Sequence, residues 1–472
     1  MAAHLKDDPH YVAAIRIVHS LRSAGHQAFF AGGCVRDILL DLEPQDFDVA
    51  TSATPDIILN LFPNKKTLTV GAHFGVVLVC EPNDSEDNII STEVATFRHD
   101  GAYSDGRRPD AVRFSTDPRE DVLRRDFTIN GMLLDPTILE ATGDPAAATL
   151  DYVNGRSDLA AKILRAIGDP ALRFAEDKLR MLRAVRFAAR LDLQIEPLTF
   201  AAIRNAAAQI DQVSSERIRD ELTRMLTEGH ARRAFELLDA TGLLEQVIPE
   251  AVRMHGVQQP PEYHPEGDVW IHTMLLLEKL PPNASPTLAW GALLHDIGKP
   301  ATYRAPDPNA PHDRIRFNGH VEVGVRIAET ILARLRFSNE ETAQIAALVK
   351  NHMRFGDILH MRQSTLKRFL RLPQFDEHLA LHRMDCLSAH GDLRLYDFAK
   401  LQYESAPTET IAPRLLLTGR ELIAAGYRPG PKFKAMLEAA EDAQLEGDIT
   451  TPEQALALIR KHYGAPSKES LK

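Results

Sequence analysis

The chain contains little cysteine: Cys34, Cys80 and Cys386 are the only three among 472 residues, and no two form a CxxC pair. This scarcity argues against a disulfide framework and against a cysteine-ligated zinc site. Long apolar runs are also missing, since residues 74–80 fall far short of the roughly 18 residues that span a bilayer, and the N-terminus lacks a signal pattern. These absences predict a cytoplasmic protein with no membrane partner.

An excess of positive charge is likewise missing, because the formal net charge is -11. Proteins that coat nucleic acid nonspecifically are usually basic overall, so this class is disfavoured. Binding to RNA remains compatible with the sequence, since arginines are concentrated in residues 107–125, 173–190 and 217–233. Each of these arginines also has an ordinary explanation as part of a solvated helix face.

The distribution of short β-rich and long helical segments predicts a modular chain. Hydrophobic residues make up 44% of the sequence, enough for several buried cores, and β-rich runs broken by Gly, Pro and Asp fill residues 27–132. From about Ile163 onward, apolar residues recur at three- and four-residue spacing, which predicts helices. Residues 257–267 are Pro-rich and form a candidate linker, and 404–413 resemble a loop. We therefore predict an α/β head at 1–150, an all-α neck and body at 151–256, an all-α histidine-rich domain at 257–405 and a small helical tail at 406–472.

The first candidate site combines two aspartates with a glycine turn. Asp46 and Asp48 stand at i and i+2, so on a strand both carboxylates face the same side. Two magnesium ions prefer such oxygen ligands, and an ion pair about 4 Å apart can activate a hydroxyl and stabilise a leaving pyrophosphate. Just upstream, a strand leads into Gly32 and Gly33 and then a helix with Arg36, which lets backbone N–H groups approach a phosphate chain.

Six segments follow one another along this half of the chain: GGCVRD, DFDVAT, VGAHFGVVLV, EVATFR, RRDFTINGM and EDKLRMLRAVRFAAR. In order and approximate spacing they resemble the class II tRNA nucleotidyltransferase and bacterial poly(A) polymerase superfamily, over roughly residues 25–250. The resemblance implies a polymerase-β-like head in which Asp46 and Asp48 hold two Mg²⁺ ions and Glu93, on a neighbouring strand, is the third catalytic carboxylate. The alternative for Glu93 is an edge-strand residue without a catalytic part.

The resemblance also implies a set of nucleotide-binding residues. Gly32, Gly33 and Arg36 inherit the binding of the triphosphate, Arg125 contacts the nucleotide, and arginine suits this task because its donors are fixed and bidentate. Asp177 and Arg180, at i and i+3 of a helix, are expected to present an acceptor and a donor fork to the base edge. Arg183 and Arg186 continue the same helix and match nucleotide-contacting positions, the alternative being salt bridges on the helix surface.

Two further segments bear on the substrate. Residues 98–112 resemble the loop with which family members switch from adding C to adding A, so a CC-only enzyme is disfavoured. Residues 70–79 resemble the corresponding segment of the tRNA nucleotidyltransferase branch of the family. In the poly(A) polymerase branch this segment is usually more basic. The expected substrates are the tRNA 3′ end, CTP and ATP. Full CCA addition, addition of A alone and poly(A) synthesis remain alternatives, and the oligomeric state is open.

The second candidate site is a set of histidines with an HD doublet. An HDIGK segment follows an apolar helical run, and imidazole with carboxylate suits a divalent metal. The pattern resembles the HD superfamily, whose metal site hydrolyses phosphate esters. The expected ligands, for a metal whose identity stays open, are His272, His295, Asp296, His320, His352 and Asp385. Lys299 is a candidate phosphate contact, and the alternatives are packed or surface histidines in a purely structural domain.

Three functional hypotheses follow from these patterns. In the first, the chain adds CCA, or its terminal A, to tRNA. In the second, it is chiefly an HD phosphohydrolase whose head senses nucleotides. In the third, it is a non-catalytic RNA-binding protein. The paired carboxylates Asp46 and Asp48 favour the first hypothesis, because neither a sensor nor a scaffold needs them.

Overall fold

The computed structural model of the chain describes residues 5, 7–63, 66–68, 75–82, 89–101, 111–310, 313–405, 407 and 413–466. The fold separates into two compact units, Met1–Pro249 and Glu250–Lys472. The predicted α/β head and all-α remainder are confirmed. The finer division into four regions stays a prediction.

The first unit is built on a seven-stranded mixed sheet with the strand order β3-β4-β5-β2-β1-β8-β9. Only β2 and β5 pair in parallel; the other neighbours are antiparallel. Side chains alternate along β5, where Ile90, Thr92 and Val94 are buried, as the period of two requires. The strands of this sheet are β1 Ala28–Ala31, β2 Asp48–Thr51, β3 Lys66–Leu68, β4 Val76–Pro82, β5 Ile89–Thr96, β8 Met132–Leu134 and β9 Thr149–Asp151.

Two small ribbons accompany this sheet. One pairs β6 Arg98–Asp100 with β7 Val112–Phe114, and the other pairs β10 Ile163–Leu164 with β11 Gln194–Ile195. The main sheet packs against the first long helix, where the ring of Tyr11 lies 5.6 Å from that of Phe30 and 5.4 Å from that of Phe47. This aromatic cluster anchors the strand ends that carry Gly32 and Asp48.

Several helices of the first unit begin at an Asp-Pro pair. In these pairs the aspartate accepts a backbone N–H of the first turn and the proline takes the first helical position, where it costs no hydrogen bond. The five capping residues are Asp8, Asp117, Asp135, Asp144 and Asp169. The α-helices are Pro9–Ser23, Gly33–Leu39, Pro55–Leu61, Pro118–Leu123, Pro136–Thr142, Pro145–Ala148, Gly155–Ala160, Pro170–Glu176, Leu179–Arg190, Pro197–Ala206, Ser215–Thr227, Ala231–Ala240 and Leu243–Val247, with 3-10 turns at Thr128–Asn130 and Ala207–Gln212. The short helix Pro249–Val252 begins at the last residue of this unit.

The second unit is helical. One aromatic cluster forms around Phe355, Phe369 and Phe375, and a separate cluster around Leu422 and Ile459 forms the core of its C-terminal part. No described helix is long and apolar enough to cross a membrane. The helices are Val269–Glu278, Pro286–Leu294, Lys299–Thr302, His320–Arg334, Asn339–Asn351, Gln363–Leu370, Phe375–Ser388, Arg394–Ser405, Gly419–Ala424, Phe433–Glu446 and Pro452–Tyr463, with a 3-10 turn at His352–His360.

Candidate active sites

The carboxylates of the head meet at neighbouring strands. Strand β2 begins at Asp48 and runs parallel to β5 with Val49 opposite Val94, so Asp48 and Glu93, each one residue earlier, lie side by side on neighbouring strands. Phe47 and Val49 are buried, whereas Asp46 is exposed and Asp48 half-buried, as expected for alternating sides. Because β5 lies between β4 and β2, Glu93 is on an interior strand and not on an edge.

The electrostatics of Asp48 fit a cation site. Burial, followed by the negative charges of Glu93 and Asp46, raises the pKa of Asp48 to about 7, while Arg125 acts in the opposite direction. Carboxylates gathered in this way repel one another unless a proton or a cation neutralises them. Oxygen-only donors are the ligands that Mg²⁺ prefers, so the residues present fit the predicted metal.

Gly32 leaves open space next to this carboxylate. Its φ of +76° is a left-handed conformation that favours glycine. A Cβ atom at this position would lie 3.7 Å from Asp48 Oδ2 and 3.4 Å from Arg125 Nη1. The missing side chain therefore leaves a cradle between Asp48, which is predicted to hold metal, and Arg125, which is predicted to contact the nucleotide.

The two arginines that are predicted to contact the nucleotide, Arg36 and Arg125, are held by fixed partners. Asp121, which is fully buried, binds Arg125 Nη2 at 2.9 Å and Arg124 Nη2 at 2.6 Å. Arg36 is also buried and donates to Asp37 Oδ1 at 2.8 Å and to Asn130 Oδ1 at 2.7 Å. These contacts orient the arginines before any ligand binds, which reduces the entropy lost on binding.

Asp177 does not share a helix face with Arg180, contrary to expectation. The helix begins at Leu179, and Asp177 is in an extended conformation whose carboxylate accepts the Leu179 N–H at 3.0 Å. Aspartate competes with the backbone in this way and so favours helix starts over helix interiors. Arg217 holds the carboxylate of Asp177 at 3.0 Å, and Glu176 holds Arg180 Nη1 at 2.6 Å.

Arg183 and Arg186 are both engaged in ion pairs within the first unit. Arg183 Nη2 lies 2.7 Å from Asp126 Oδ2. Arg186 is buried and donates through Nε to Glu221 Oε2 at 2.7 Å and through Nη1 to Glu228 Oε2 at 3.2 Å. The salt-bridge alternative therefore describes their contacts in this structure, and their part in nucleotide binding stays a prediction.

The six residues predicted as ligands of the HD site converge in the second unit. His272 Nε2 lies 3.1 Å from Asp385 Oδ1 and 3.3 Å from His295 Nε2. Asp296 Oδ2 lies 3.2 Å from His295 Nε2, and its other oxygen, Oδ1, lies 3.6 Å from His352 Nε2. His320 Nε2 completes the set at 3.4 Å from His352 Nε2. Two triads of these six residues have ligand atoms within 4.8 Å of one another: His272, His295 and Asp385, and Asp296, His320 and His352. A third such triad joins His272 to His264 and Glu266.

Hydrogen bonds on the far side of each ring indicate which nitrogen faces the centre. The Nδ1 atoms of His295, His320 and His352 lie 2.7 to 2.9 Å from backbone carbonyl oxygens, which can only accept. Each Nδ1 therefore carries the proton and each Nε2 presents a lone pair inward. Asp296 Oδ1 is buried without a hydrogen-bond partner among the described residues. Converging lone pairs and an unpartnered carboxylate oxygen fit a divalent metal.

Basic and acidic side chains lie in direct contact around Asp296 and His272. Burial by itself would raise the pKa of Asp296. Lys299, whose Nζ lies 2.6 Å from Asp296 Oδ2, acts in the opposite direction, and the pKa of Asp296 lies well below its usual range. Burial also opposes protonation of His272, yet the carboxylates of Asp385 and Glu266 raise the pKa of His272 to about 9. Without that proton, the same ring offers Nε2 as a ligand.

Three residues of this site were missed because they belong to the segment interpreted as a linker. Glu266 Oε1 lies 2.7 Å from His272 Nδ1 and 2.9 Å from His264 Nδ1. Gln259 Oε1 accepts from Lys299 Nζ at 2.7 Å. The segment 257–267 thus contributes contacts at the predicted metal centre. A histidine and a glutamate two residues apart, shortly before His272, are the sequence signal that could have indicated this.

Some expectations lie wholly or partly outside the described residues. They concern most of the loop 98–112, the first half of 70–79 and most of 404–413. Among the residues that the structure does describe, only the second unit brings three metal-binding side chains within 4.8 Å of one another. Asp46, Asp48 and Glu93 are therefore more widely spaced than the HD ligands.

Three family descriptions match successive parts of the chain. "Poly A polymerase head domain" matches residues 28–165, "Probable RNA and SrmB- binding site of polymerase A" matches 192–254, and "HD domain" matches 264–390. The third match begins at His264 and so includes the Glu266 contact.

Relatives with known names align over different shares of the chain. The CCA-adding enzyme of Levilactobacillus brevis is 30% identical over 456 residues, which is 96% of this chain and 98% of that protein. The CCA-adding enzyme of Bacillus pumilus is 36% identical over 290 residues, or 61% of this chain, and that of Geobacillus sp. is 41% identical over 230 residues, or 49% of this chain. These two alignments span less than two thirds of the relatives' own length, 64% and 53%.

Solved structures share the fold. The crystal structure of Bacillus stearothermophilus CCA-adding enzyme in complex with CTP superposes with a TM-score of 0.70 at 24% identity, covering 96% of this chain and 98% of that one. A CCA-adding enzyme in apo form II gives a TM-score of 0.61 at 18% identity, covering 96% of both chains. At these identities the likeness establishes the architecture.

Proposed function

The chain belongs to the family of CCA-adding enzymes, and from this premise we propose that it adds C, C and A to the 3′ end of tRNA, using CTP and ATP. The observation that carries the proposal is the grouping of Asp46, Asp48 and Glu93 beside the Gly32 cradle and Arg125. Full-length similarity to an enzyme named for CCA addition favours this function over addition of A alone and over poly(A) synthesis. The tRNA substrate implies action in the cytoplasm.

The head residues divide the work of nucleotidyl transfer. Asp46, Asp48 and Glu93 would hold two magnesium ions, which would supply activation of the attacking 3′ hydroxyl and neutralisation of the departing pyrophosphate. Arg36 and Arg125 neutralise the triphosphate, while Gly32 and Gly33 let the backbone approach it. Asp121 and Asn130 position these arginines from behind. The reaction joins the tRNA 3′ oxygen to the α-phosphorus of the nucleotide and releases pyrophosphate.

Asp177 and Arg180 select the base in this proposal. A carboxylate accepts and a guanidinium donates, so together they can pair with the hydrogen-bonding edge of cytosine or adenine. Arg217 and Glu176 hold the two side chains in place before the nucleotide arrives. Arg183 and Arg186 lie further along the helix that carries Arg180. Ligand binding at these positions requires exchange of a contact with Asp126 or Glu221.

For the second unit we propose phosphohydrolase activity at the HD centre. The four histidines, Asp296 and Asp385 would hold a divalent cation, which supplies activation of water and neutralisation of a phosphate ester. Glu266 fixes the orientation of His272, and Lys299 lies where it can contact both Asp296 and a phosphate oxygen. A 2′,3′-cyclic phosphate is a suitable substrate, because a damaged tRNA end must regain a free hydroxyl before nucleotides are added.

One incubation series tests the transferase proposal. Purified protein is given tRNA lacking CCA, or tRNA ending in CC, with CTP and ATP separately and together. Full CCA addition predicts C incorporation on the first tRNA with CTP alone, A incorporation on the second with ATP, and a complete end when both nucleotides are present. A protein that uses only the second tRNA adds only A, and long A tails indicate a poly(A) polymerase. No incorporation on either tRNA would contradict the proposal.

A further inference from the structure

The segment that precedes the helix His320–Arg334 carries an exposed aromatic pair. Arg304 and Arg316 exchange backbone hydrogen bonds of 3.0 and 3.1 Å, which hold the two arms of the segment side by side. At the base of these arms the rings of Tyr303 and Phe317 lie 6.0 Å apart at 55°. Phe317 is half-buried, whereas Tyr303 is 42% exposed. The pair thus presents an aromatic surface to solvent. Burial in a hydrophobic core does not explain why these two residues are aromatic.

This aromatic pair adjoins the predicted metal ligands. The ring of Phe317 lies 5.4 Å from Lys299 Nζ, and that ammonium lies 2.6 Å from Asp296 Oδ2. The carbonyl oxygen of Phe317 lies 2.9 Å from Nδ1 of His320. Phe317 therefore contacts the residues of the HD centre directly, and Tyr303 extends the surface outward from it.

The same segment carries cations. Arg316 pairs with Asp313 at 2.6 Å, and Arg314 lies 5.5 Å over the ring of Tyr263 and donates to its hydroxyl at 3.0 Å. The side chain of Arg304 is exposed and has no ion-pair partner among the described residues. Tyr263, next to His264 in sequence, is 50% exposed. Aromatic faces interleaved with arginines are typical of surfaces that bind single-stranded nucleic acid, where bases stack and phosphates are neutralised.

We propose that Tyr303 and Phe317 stack the base of the nucleotide whose phosphate ester is hydrolysed at the HD centre. The site then selects phosphate esters that carry a nucleoside over equally small esters that do not. This inference rests on the proposed phosphohydrolase function and names the residues that set its specificity. A simple phosphate ester offers nothing for an aromatic surface to hold, whereas every base has a π face.

The hydrolysis itself balances without a further reactant. Water forms a bond to phosphorus, and one of the two phosphorus–oxygen ester bonds of the cyclic phosphate breaks. One proton of the water ends on the released ribose hydroxyl, and the other stays on the phosphate monoester or passes to solvent. Tyr303 and Phe317 take no part in these bond changes. They hold the base and thereby the phosphate, so their loss raises KM more than it lowers kcat.

The test compares two five-membered cyclic phosphates, one with a base and one without: cytidine 2′,3′-cyclic phosphate and glycerol 1,2-cyclic phosphate. For Tyr303→Ala, we expect kcat/KM on the cytidine substrate to fall about tenfold, the loss that removal of a stacking aromatic side chain commonly causes. Hydrolysis of the glycerol substrate should be unchanged. Tyr303→Phe, which keeps the ring, is the matched control and should retain the wild-type preference.

A binding measurement separates this proposal from the phosphohydrolase function. Calorimetric titration of cytidine 2′-monophosphate into the full chain should show a component that Tyr303→Ala weakens about tenfold and Tyr303→Phe preserves. Nucleotide binding by the head is common to all variants and cancels in the comparison. If the wild type hydrolyses neither substrate but the titration responds as expected, the phosphohydrolase function fails and base stacking stands. Equal loss on both substrates, or no response of hydrolysis and binding to Tyr303→Ala, overturns the stacking proposal.

Discussion

Glu266 Oε1 lies 2.7 Å from Nδ1 of His272, so a residue of the presumed linker orients a predicted metal ligand. The same oxygen lies 2.9 Å from Nδ1 of His264, while Glu266 Oε2 is buried with no partner among the described residues. A carboxylate behind a metal-binding imidazole fixes the ring and increases the basicity of the nitrogen that faces the metal. Burial by itself would raise the pKa of Glu266, but the two histidine contacts act in the opposite direction, and the pKa is lowered to about 2.

Replacement of this carboxylate by an amide should weaken metal binding. For Glu266→Gln we expect the metal affinity of the HD centre to fall about 10- to 100-fold. The ring of His272 is then less firmly oriented, and it no longer has a charged partner at Nδ1. Titration of metal-free protein with Ni²⁺ or Co²⁺, which favour imidazole over the carboxylates of the head, measures this loss. Glu262→Gln, an exposed change in the same segment, is the control. Equal affinity of both variants would show that Glu266 has no part in holding the metal.

Loss of either head aspartate should stop nucleotide addition without unfolding the protein. Asp48→Asn replaces a half-buried carboxylate whose pKa is raised to about 7 by burial and by Glu93, so a neutral residue is well tolerated there in the absence of metal. We expect Asp46→Asn and Asp48→Asn to incorporate less than about 1% of the wild-type amount of nucleotide, a barrier increase of about 2.7 kcal/mol or more. Labelled CTP and ATP with tRNA lacking CCA provide the measurement. Asp56→Asn, an exposed aspartate on the helix Pro55–Leu61, should remain active.

Base choice should depend on Asp177 and Arg180. Their removal leaves Arg36 and Arg125 in place, so triphosphate binding should change less than discrimination among CTP, ATP, UTP and GTP. We expect Asp177→Ala and Arg180→Ala to reduce this discrimination about tenfold or more, one hydrogen-bonded pair being worth roughly 1.4 kcal/mol. Single-turnover kinetics with each nucleotide measure it. Arg190→Ala, at the far end of the same helix, is the control. A uniformly raised KM with unchanged preference would mean that the pair only supports the helix.

The sequence predicted local features better than long-range contacts. Alternating apolar residues and glycine turns identified the strands that carry Gly32, Asp48 and Glu93, because these signals are encoded within a few residues. The HDIGK segment led to Asp296 for the same reason. Contacts such as Arg186 with Glu221, 35 residues apart, depend on how helices pack, and nothing in the local pattern specifies them. The role of Glu266 was missed because a Pro-rich stretch indicates a linker whether or not its side chains fold against a site.

His378 should make the stability of the second unit depend on pH. It is 1% exposed, and neither ring nitrogen has a hydrogen-bond partner among the described residues. Burial lowers its pKa to about 4; Arg354 acts in the same direction and Glu377 against it. The unfolded chain therefore takes up a proton below about pH 6.5 while the folded chain does not, so stability is lost as the pH falls from about 6.5 to 4.

Replacing this histidine should remove that part of the acid sensitivity. His378→Phe keeps a ring in the cluster around Phe375 but has no group to protonate. As the pH falls from 6.5 to 4, the free energy of unfolding of His378→Phe should rise relative to that of the wild type by up to about 3 kcal/mol. Urea unfolding at several pH values measures the difference. The exposed change His360→Gln is the control, and a constant difference between wild type and His378→Phe across this range would refute the assignment.

The two chemistries should be separable, because the proposed metal ligands of the head are carboxylate oxygens and those of the HD centre include histidines of another unit. Asp296→Ala alone would leave Lys299 buried beside no negative charge, which commonly costs several kcal/mol and confuses loss of chemistry with loss of fold. The double change Asp296→Asn with Lys299→Met avoids this, because it removes both charges together. We expect this double variant to lose metal-dependent phosphate ester hydrolysis and to keep nucleotide addition within a few-fold of wild type. The same result is expected for His295→Ala combined with Asp296→Ala, where that variant folds. Thermal unfolding verifies the fold of each variant. Loss of nucleotide addition in a folded variant would show that the two sites are coupled, and hydrolysis that persists would move the phosphohydrolase activity away from Asp296.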